Sequence, residues 1–144
     1  MSHTEQRALL IERPIVVRTD DIDFANIVHN IVYLRWLEDL RSDILVDVLP
    51  IDEILATGIS PILTRTEIEY RHPVKIGDQI VGRMWVADLS LTRWTLASEI
   101  VLGETICAAA RQSGFFAELS TLRPVRIPSK LKDLWQEAVK KSPQ

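Results

Sequence analysis

Two aspartates, two asparagines and a histidine fall within the run Asp21-Ile22-Asp23-Phe24-Ala25-Asn26-Ile27-Val28-His29-Asn30. The run leads straight into an apolar, helix-patterned stretch, Ile31-Val32-Tyr33-Leu34-Arg35-Trp36. The first turn of a helix presents unpaired amide N–H groups and a partial positive charge. A carbonyl placed there is polarised, and a developing oxyanion is stabilised. A carboxylate just upstream can attack that carbonyl or activate a water against it. These are the parts an ester or thioester hydrolase needs without a Ser-His-Asp triad. An aspartate ahead of a helix also serves as an ordinary N-cap, and the local pattern taken alone favours the cap.

Other reactive side chains are read against simpler roles. His29 fits a general base or a ligand, and equally a hydrogen-bonded residue at a helix start. His72 precedes Pro73 at a strand end and reads as structural, and with His3 no pair has metal-ligand spacing, so no metal site is expected. Cys107 is the single cysteine and lies in the apolar run Thr105-Ile106-Cys107-Ala108-Ala109-Ala110, which predicts a buried, inert thiol. Arg65, Arg71, Lys75, Arg93 and Arg111 are isolated cations that would supply charge to a phosphate or remain solvated. The aromatics Trp36, Trp85, Trp94, Phe115 and Phe116 read mainly as core, with one or two open to lining an acyl or aryl tunnel.

The elements that must position these residues follow from periodicity. Ile11 to Arg18 reads as a first strand, with Pro14 suited to an edge. From Val28 to Leu49 the pattern is helical: Arg35, Glu38, Asp39, Ser42 and Asp43 form a polar stripe and apolar residues cover most of the rest. Pro50 stops that helix, and Ile51 to Gly58 makes one or two short turns. Ile62 to Arg71, Gln79 to Leu89, Arg93 to Leu102 and Glu104 to Leu119 alternate as strands. The short connections Ser90-Leu91-Thr92 and Gly103-Glu104 predict an antiparallel meander. Ser129 caps a last helix, 128–140, with a Leu131, Leu134, Trp135, Ala138 stripe. The class is α+β: a long central helix wrapped by a curved antiparallel sheet. The sheet's exposed edge favours pairing with a second copy across a two-fold.

Composition bounds the rest. The 144 residues fit one domain, with a core at about 10–127 and the terminal helix at about 129–140. A net charge of −3 argues against a nucleic-acid surface. One cysteine, no basic leader and no apolar run long enough for a membrane span predict a cytoplasmic protein.

The order Asp21-x-Asp23, then His29-Asn30-x-x-Tyr33-Leu34-Arg35-Trp36, resembles the signature of 4-hydroxybenzoyl-CoA thioesterase-like hotdog proteins. Thr66-Glu67-Ile68-Glu69-Tyr70-Arg71-His72-Pro73-Val74 with Gly77-Asp78, and the exit Leu122-Arg123-Pro124-Val125-Arg126-Ile127-Pro128, also look familial. The resemblance thus spans roughly Pro14 to Leu134. It implies the hotdog fold and hydrolysis of an acyl-CoA or acyl-carrier-protein thioester by a homodimer or homotetramer. Coenzyme A would enter as part of the substrate, with no separate cofactor. Asp23 matches the catalytic carboxylate, as nucleophile or general base, and Asp21 would shape the loop. Asn30 matches the position whose backbone N–H meets the thioester carbonyl, with its side chain or that of His29 assisting. Tyr33, Arg65, Thr66 and Arg93 fall at substrate or CoA positions, Arg93 in a nucleotide-binding turn. Asn26 stands where family members often carry glycine, and asparagine tolerates the left-handed conformation a glycine would supply. No Asp/His pair stands at hotdog-dehydratase spacing. The alternative on the same scaffold is a non-catalytic acyl-CoA binding or sensing protein.

Overall fold

Alternating side chains and two short turns dictate the centre of the sheet. The computed structural model describes residues 7–141, so His3 lies outside the described residues. In chain order the elements are β1 (Ala8–Ile15), α1 (Val32–Leu45), α2 (Ile51–Thr57), β2 (Ile59–Tyr70), β3 (Ile80–Leu89), β4 (Arg93–Leu102), β5 (Thr105–Glu118), β6 (Pro124–Val125) and α3 (Ser129–Lys141). The sheet runs in the order β1-β3-β4-β5-β2, with β6 added to β5, and every pairing is antiparallel. β4 turns into β5 through Gly103, whose φ of 61° suits a two-residue hairpin.

β2 and β1 are the two edges of this sheet. β2 begins at Ile59, three residues before the expected start. It runs through Pro61, which pairs with Phe116. An edge strand tolerates proline because one row of its N–H groups faces away from the ladder. β2 also carries an irregularity: Leu63 pairs with Gly114 and Arg65 with Ser113, leaving Thr64 as the extra residue of a bulge.

The central helix is shorter than its apolar pattern suggests. Residues 28–31 are not helical, because Val28 bridges Ile22 and donates its N–H to the Val74 carbonyl at 2.9 Å. The buried residues of α1 are Val32, Tyr33, Trp36, Leu37, Leu40 and Ile44, which fall on a single face. The expectation that most of the circumference is covered therefore fails within one chain: Ile31 is 72% exposed and Leu34 42%.

Two apolar clusters hold α1 to the sheet. Its first turns pack with Val28, Val74, Ile80, Ile100, Cys107 and Ala108. Its later turns pack with Met84, Val86, Trp94, Leu96, Phe116 and Leu131. Each fully buried aliphatic or aromatic side chain in these sets is worth about 1.5–3 kcal/mol of transfer free energy. α3 closes the second cluster, where Trp135 Nε1 donates to the Val86 carbonyl at 3.1 Å. One helix laid on an antiparallel sheet of this order is the hotdog architecture. No helix among the described residues is long and apolar enough to cross a membrane.

Candidate active site

The loop ahead of α1 is built by two carboxylates with different tasks. Asp21, at the end of a 3-10 turn (Thr19–Asp21), is 0% exposed. Its Oδ2 accepts the Arg18 N–H at 2.8 Å, and Arg35 Nη2 reaches Oδ1 and Oδ2 at 2.9 and 3.1 Å. Its carbonyl accepts the His29 N–H at 2.9 Å. Asp21 shapes the loop, through an ion pair to the helix as well as through turn hydrogen bonds.

Asp23 is exposed and sits at the tip of the small hairpin closed by the Ile22–Val28 bridge. Its Oδ1 accepts N–H bonds from Ala25 at 2.9 Å and Ile27 at 3.1 Å. The backbone closes the same turn, Asp23 N–H to Ile27 O at 3.0 Å and Asn26 N–H to Asp23 O at 3.1 Å. One carboxylate oxygen thus fixes the side chain, and Oδ2 has no protein partner among the described residues. The arrangement is an Asx turn rather than a helix cap, since the helix begins nine residues later at Val32.

Asn26 adopts φ 59°, the left-handed conformation its residue type allows. Its Oδ1 accepts the Ile76 N–H at 3.1 Å, so the side chain also ties this loop to the connection between β2 and β3. A glycine would supply the conformation without the tie.

His29 and Asn30 lie on the other side of the bridge from Asp23, both exposed. The Asn30 and Ile31 N–H groups donate no backbone hydrogen bond among the described residues, whereas Val32 N–H already bonds the His29 carbonyl at 3.0 Å. These are free donors at the entry to α1, the requirement for polarising a carbonyl. Tyr70 Oη donates to the Asn30 carbonyl at 3.0 Å and pins this turn to the end of β2. Nothing local in the sequence announces that contact, which spans 40 residues.

The residues matched to substrate or CoA positions are not gathered at this loop within one chain. Tyr33 is 3% exposed and packs edge-on against Trp36 and Tyr70, with ring centroids 4.9 and 5.1 Å away; what the structure gives it is a packing position. Burial pushes its phenol up to about 12, helped by the neighbouring Cys107 and Tyr70. Thr66 Oγ1 accepts Gln112 Nε2 at 3.0 Å, on the helix side of β2. Arg65 is the adjacent residue, points to the other face, and pairs with Glu67. Arg93 Nη2 donates to Thr64 Oγ1 at 3.2 Å, which brings it to the bulge beside Arg65. Six β2 residues, about 20 Å, separate that bulge from Tyr70 and the Asn30 turn.

Cys107 is 0% exposed, and burial raises its thiol pKa, as does the charge of Asp78. Among the described residues no group of three or more His, Cys, Asp and Glu side chains is arranged to hold a metal ion.

Comparison with known proteins supplies the lineage. Several solved structures share the fold. A Staphylococcus aureus protein solved in complex with CoA superposes with a TM-score of 0.87 at 16% identity, covering 99% of this chain and 91% of that one. A Pseudomonas aeruginosa protein matches at 0.78 and 25% identity, covering 93% of each chain. A 1,4-dihydroxy-2-naphthoyl-CoA thioesterase from Synechocystis matches at 0.79 and 18% identity, over 89% of this chain and 96% of its own. No curated protein matches the sequence. The model of the thioesterase-like superfamily matches residues 17–134, most of the chain, from the Asp23 loop through α1 and strands β2 to β6. The chain belongs to the thioesterase-like superfamily.

Proposed function

We propose that the protein hydrolyses an acyl-CoA or acyl-carrier-protein thioester to the free acid and the thiol, with Asp23 as the catalytic carboxylate. The observation that carries this reading is the pinned Asp23: Oδ1 is held by two amides while Oδ2 stays free, upstream of unpaired N–H groups at the entry to α1. As a general base, Asp23 takes a proton from water as its oxygen adds to the thioester carbon. The oxyanion rests on the Asn30 amide, and each such donor is worth about 10²–10³ in kcat. Collapse breaks the C–S bond, and the proton passes to the leaving thiolate. As a nucleophile, Asp23 forms a mixed anhydride that water then cleaves to the same products. His29 is exposed one residue before Asn30 and would assist either course.

The site is completed by a second copy of the chain. β2 is a twelve-residue edge strand. Antiparallel pairing of two such edges about a two-fold at Glu67 would set Thr64 of one strand beside Tyr70 of the other. This would bring Arg65 and Arg93 of one copy to the Asp23 loop of its mate, where they can meet CoA phosphates. It would also cover the exposed Ile31, Leu34, Leu63 and Tyr70. The CoA bound to the Staphylococcus aureus neighbour supports a CoA thioester as the substrate.

The test is a panel of aryl- and alkyl-CoA thioesters assayed by free-thiol release, repeated with Asp23→Asn. Turnover lost in the variant, with CoA binding retained, is the expected result. Unchanged turnover in Asp23→Asn overturns the mechanism. Tight acyl-CoA binding without turnover by the wild type identifies a sensor instead.

A further inference from the structure

Two N–H groups at the entry to α1, those of Asn30 and Ile31, donate to nothing among the described residues, and both residues are exposed. Ile31 has helical φ −68° and ψ −25°, so its N–H belongs to the set that points out of the helix start. Each N–H shares a peptide plane with the carbonyl before it. Asn30 N–H is joined to the His29 carbonyl, which accepts Val32 N–H at 3.0 Å. Ile31 N–H is joined to the Asn30 carbonyl, which accepts Tyr70 Oη at 3.0 Å. A carbonyl that accepts a hydrogen bond draws charge from its own amide and makes the N–H of that plane a stronger donor. The helix itself supplies the first of these bonds. A side chain 40 residues away supplies the second.

Tyr70 is held by its backbone and by its ring. It closes β2, where it pairs with Ala108, and the next residue, Arg71, donates its N–H to the Cys107 carbonyl at 2.8 Å. Its ring stands edge-on to Tyr33 at a centroid distance of 5.1 Å, and Tyr33 is buried in the first turn of α1. The hydroxyl therefore reaches the Asn30 carbonyl from a fixed frame. This hydrogen bond lies at the surface, where water competes for both groups, so it contributes little to stability. What it fixes is the peptide plane that carries the Ile31 donor.

We infer that Tyr70 is a positioning residue for the thioester carbonyl: through the Asn30 carbonyl it orients and strengthens the Ile31 N–H as a second oxyanion donor beside that of Asn30. The inference rests on the hydrolytic reading above and adds to it a residue that acts through a peptide plane rather than on the substrate. One well-placed oxyanion donor is worth about 10²–10³ in kcat. Loss of the hydroxyl removes part of that, because the Ile31 N–H stays on the helix while its plane loosens and its polarisation falls.

Tyr70→Phe keeps the ring against Tyr33 and removes the hydroxyl. With an acyl-CoA that the full-length wild type turns over, kcat is expected to fall about tenfold while KM changes by less than about twofold. Carbon-13 NMR of a bound ketone reads the carbonyl directly. The probes are the benzoyl- and octanoyl-CoA analogues in which CH2 replaces the sulfur, labelled at the carbonyl. The resonance is expected to move downfield on binding the wild type and to lie upfield of that position in Tyr70→Phe. The chain has two tyrosines, so 3-fluorotyrosine incorporated into Tyr33→Phe sits at position 70 alone. As a stronger donor it should move the resonance downfield of that in Tyr33→Phe. Unchanged kcat in Tyr70→Phe overturns the proposal. So does a lower kcat with an unmoved ketone resonance, or with a weakened dimer in sedimentation, because the side chain is then a structural pin alone. If Tyr70→Phe does not fold, the fluorinated protein decides, and an unmoved resonance overturns the proposal. If the wild type hydrolyses no thioester, the proposed reaction fails and the ketones decide this inference separately. Binding of neither ketone, or the same resonance with and without the hydroxyl, then overturns it.

Discussion

Arg35 Nη2 reaches both carboxylate oxygens of the fully buried Asp21, at 2.9 and 3.1 Å, and so ties the 3-10 turn to the first turn of α1. Removing Arg35 leaves a carboxylate in the interior with only the Arg18 amide for compensation. Breaking a buried pair from one side costs 3–5 kcal/mol when both partners are enclosed. The Arg35 side chain is 44% exposed, which reduces the figure. Arg35→Met is expected to lower urea-unfolding stability by roughly 2–3 kcal/mol. Asp21→Asn should cost less, about 1–2 kcal/mol, because its amide oxygen still accepts from Arg18. A loss below about 0.5 kcal/mol in both would show that the pair does not hold the loop.

Asp23→Asn separates chemistry from architecture. The asparagine oxygen accepts the same Ala25 and Ile27 amides, so unfolding stability should change by less than about 1 kcal/mol. The kcat should fall by about 10³-fold or more, measured under substrate saturation. A matching collapse of stability would mean that the side chain is chiefly a loop brace.

Asn26 combines a left-handed backbone with a side-chain tie, and two substitutions divide them. Asn26→Gly keeps φ near 59° without strain but loses the bond from Ile76, costing about 1 kcal/mol. Asn26→Ala loses the bond and adds backbone strain, costing about 2–3 kcal/mol in all. Chemical denaturation of the two variants reads the order directly. Equal costs would sink the conformational part of the argument.

Tyr33 gives an alkaline limit to stability. Its phenol titrates at about 12 in the fold, against 10 for an unperturbed tyrosine. Between those values the unfolded chain has released a proton that the native state still holds, so unfolding is favoured as pH rises. The contribution is complete below pH 10 and is lost as pH rises towards 12. The protein has two tyrosines, and absorbance at 295 nm should show a late ionisation that is missing in Tyr33→Phe. The variant should also lose part of the alkaline fall in melting temperature.

What the sequence displays well is what neighbouring residues decide. Arg93–Leu102 was legible to the residue, and β3, β5 and α3 to within one at each end, because alternation, hairpin turns and the Ser129 cap are local signals. β1 is displaced: its pattern suggests Ile11 to Arg18, whereas the strand is Ala8–Ile15. The β-branched Ile15, Val16 and Val17 mislead there, since Val16 is 80% exposed beyond the last pair, Ile15 with Ile80. The apolar pattern places the start of α1 too early because the Val28–Val74 bond that holds residues 28–31 out of the helix spans 46 positions. Asp23 and Asn30 were visible through their motif. The contacts that brace the loop around them, Arg35 to Asp21 and Tyr70 to Asn30, are tertiary pairs with no periodic trace.

The Asp23 loop is stitched to the β2–β3 connection by Asn26–Ile76 and Val28–Val74, contacts that join residues about fifty positions apart. Such contacts repay their loop-closure entropy only after the intervening chain is ordered. α1, α2 and β2 are therefore expected to be in place before the Asp23 carboxylate is held in its turn. On this ordering the geometry of the Asp23 turn is expected to mark the end of folding rather than a step along it.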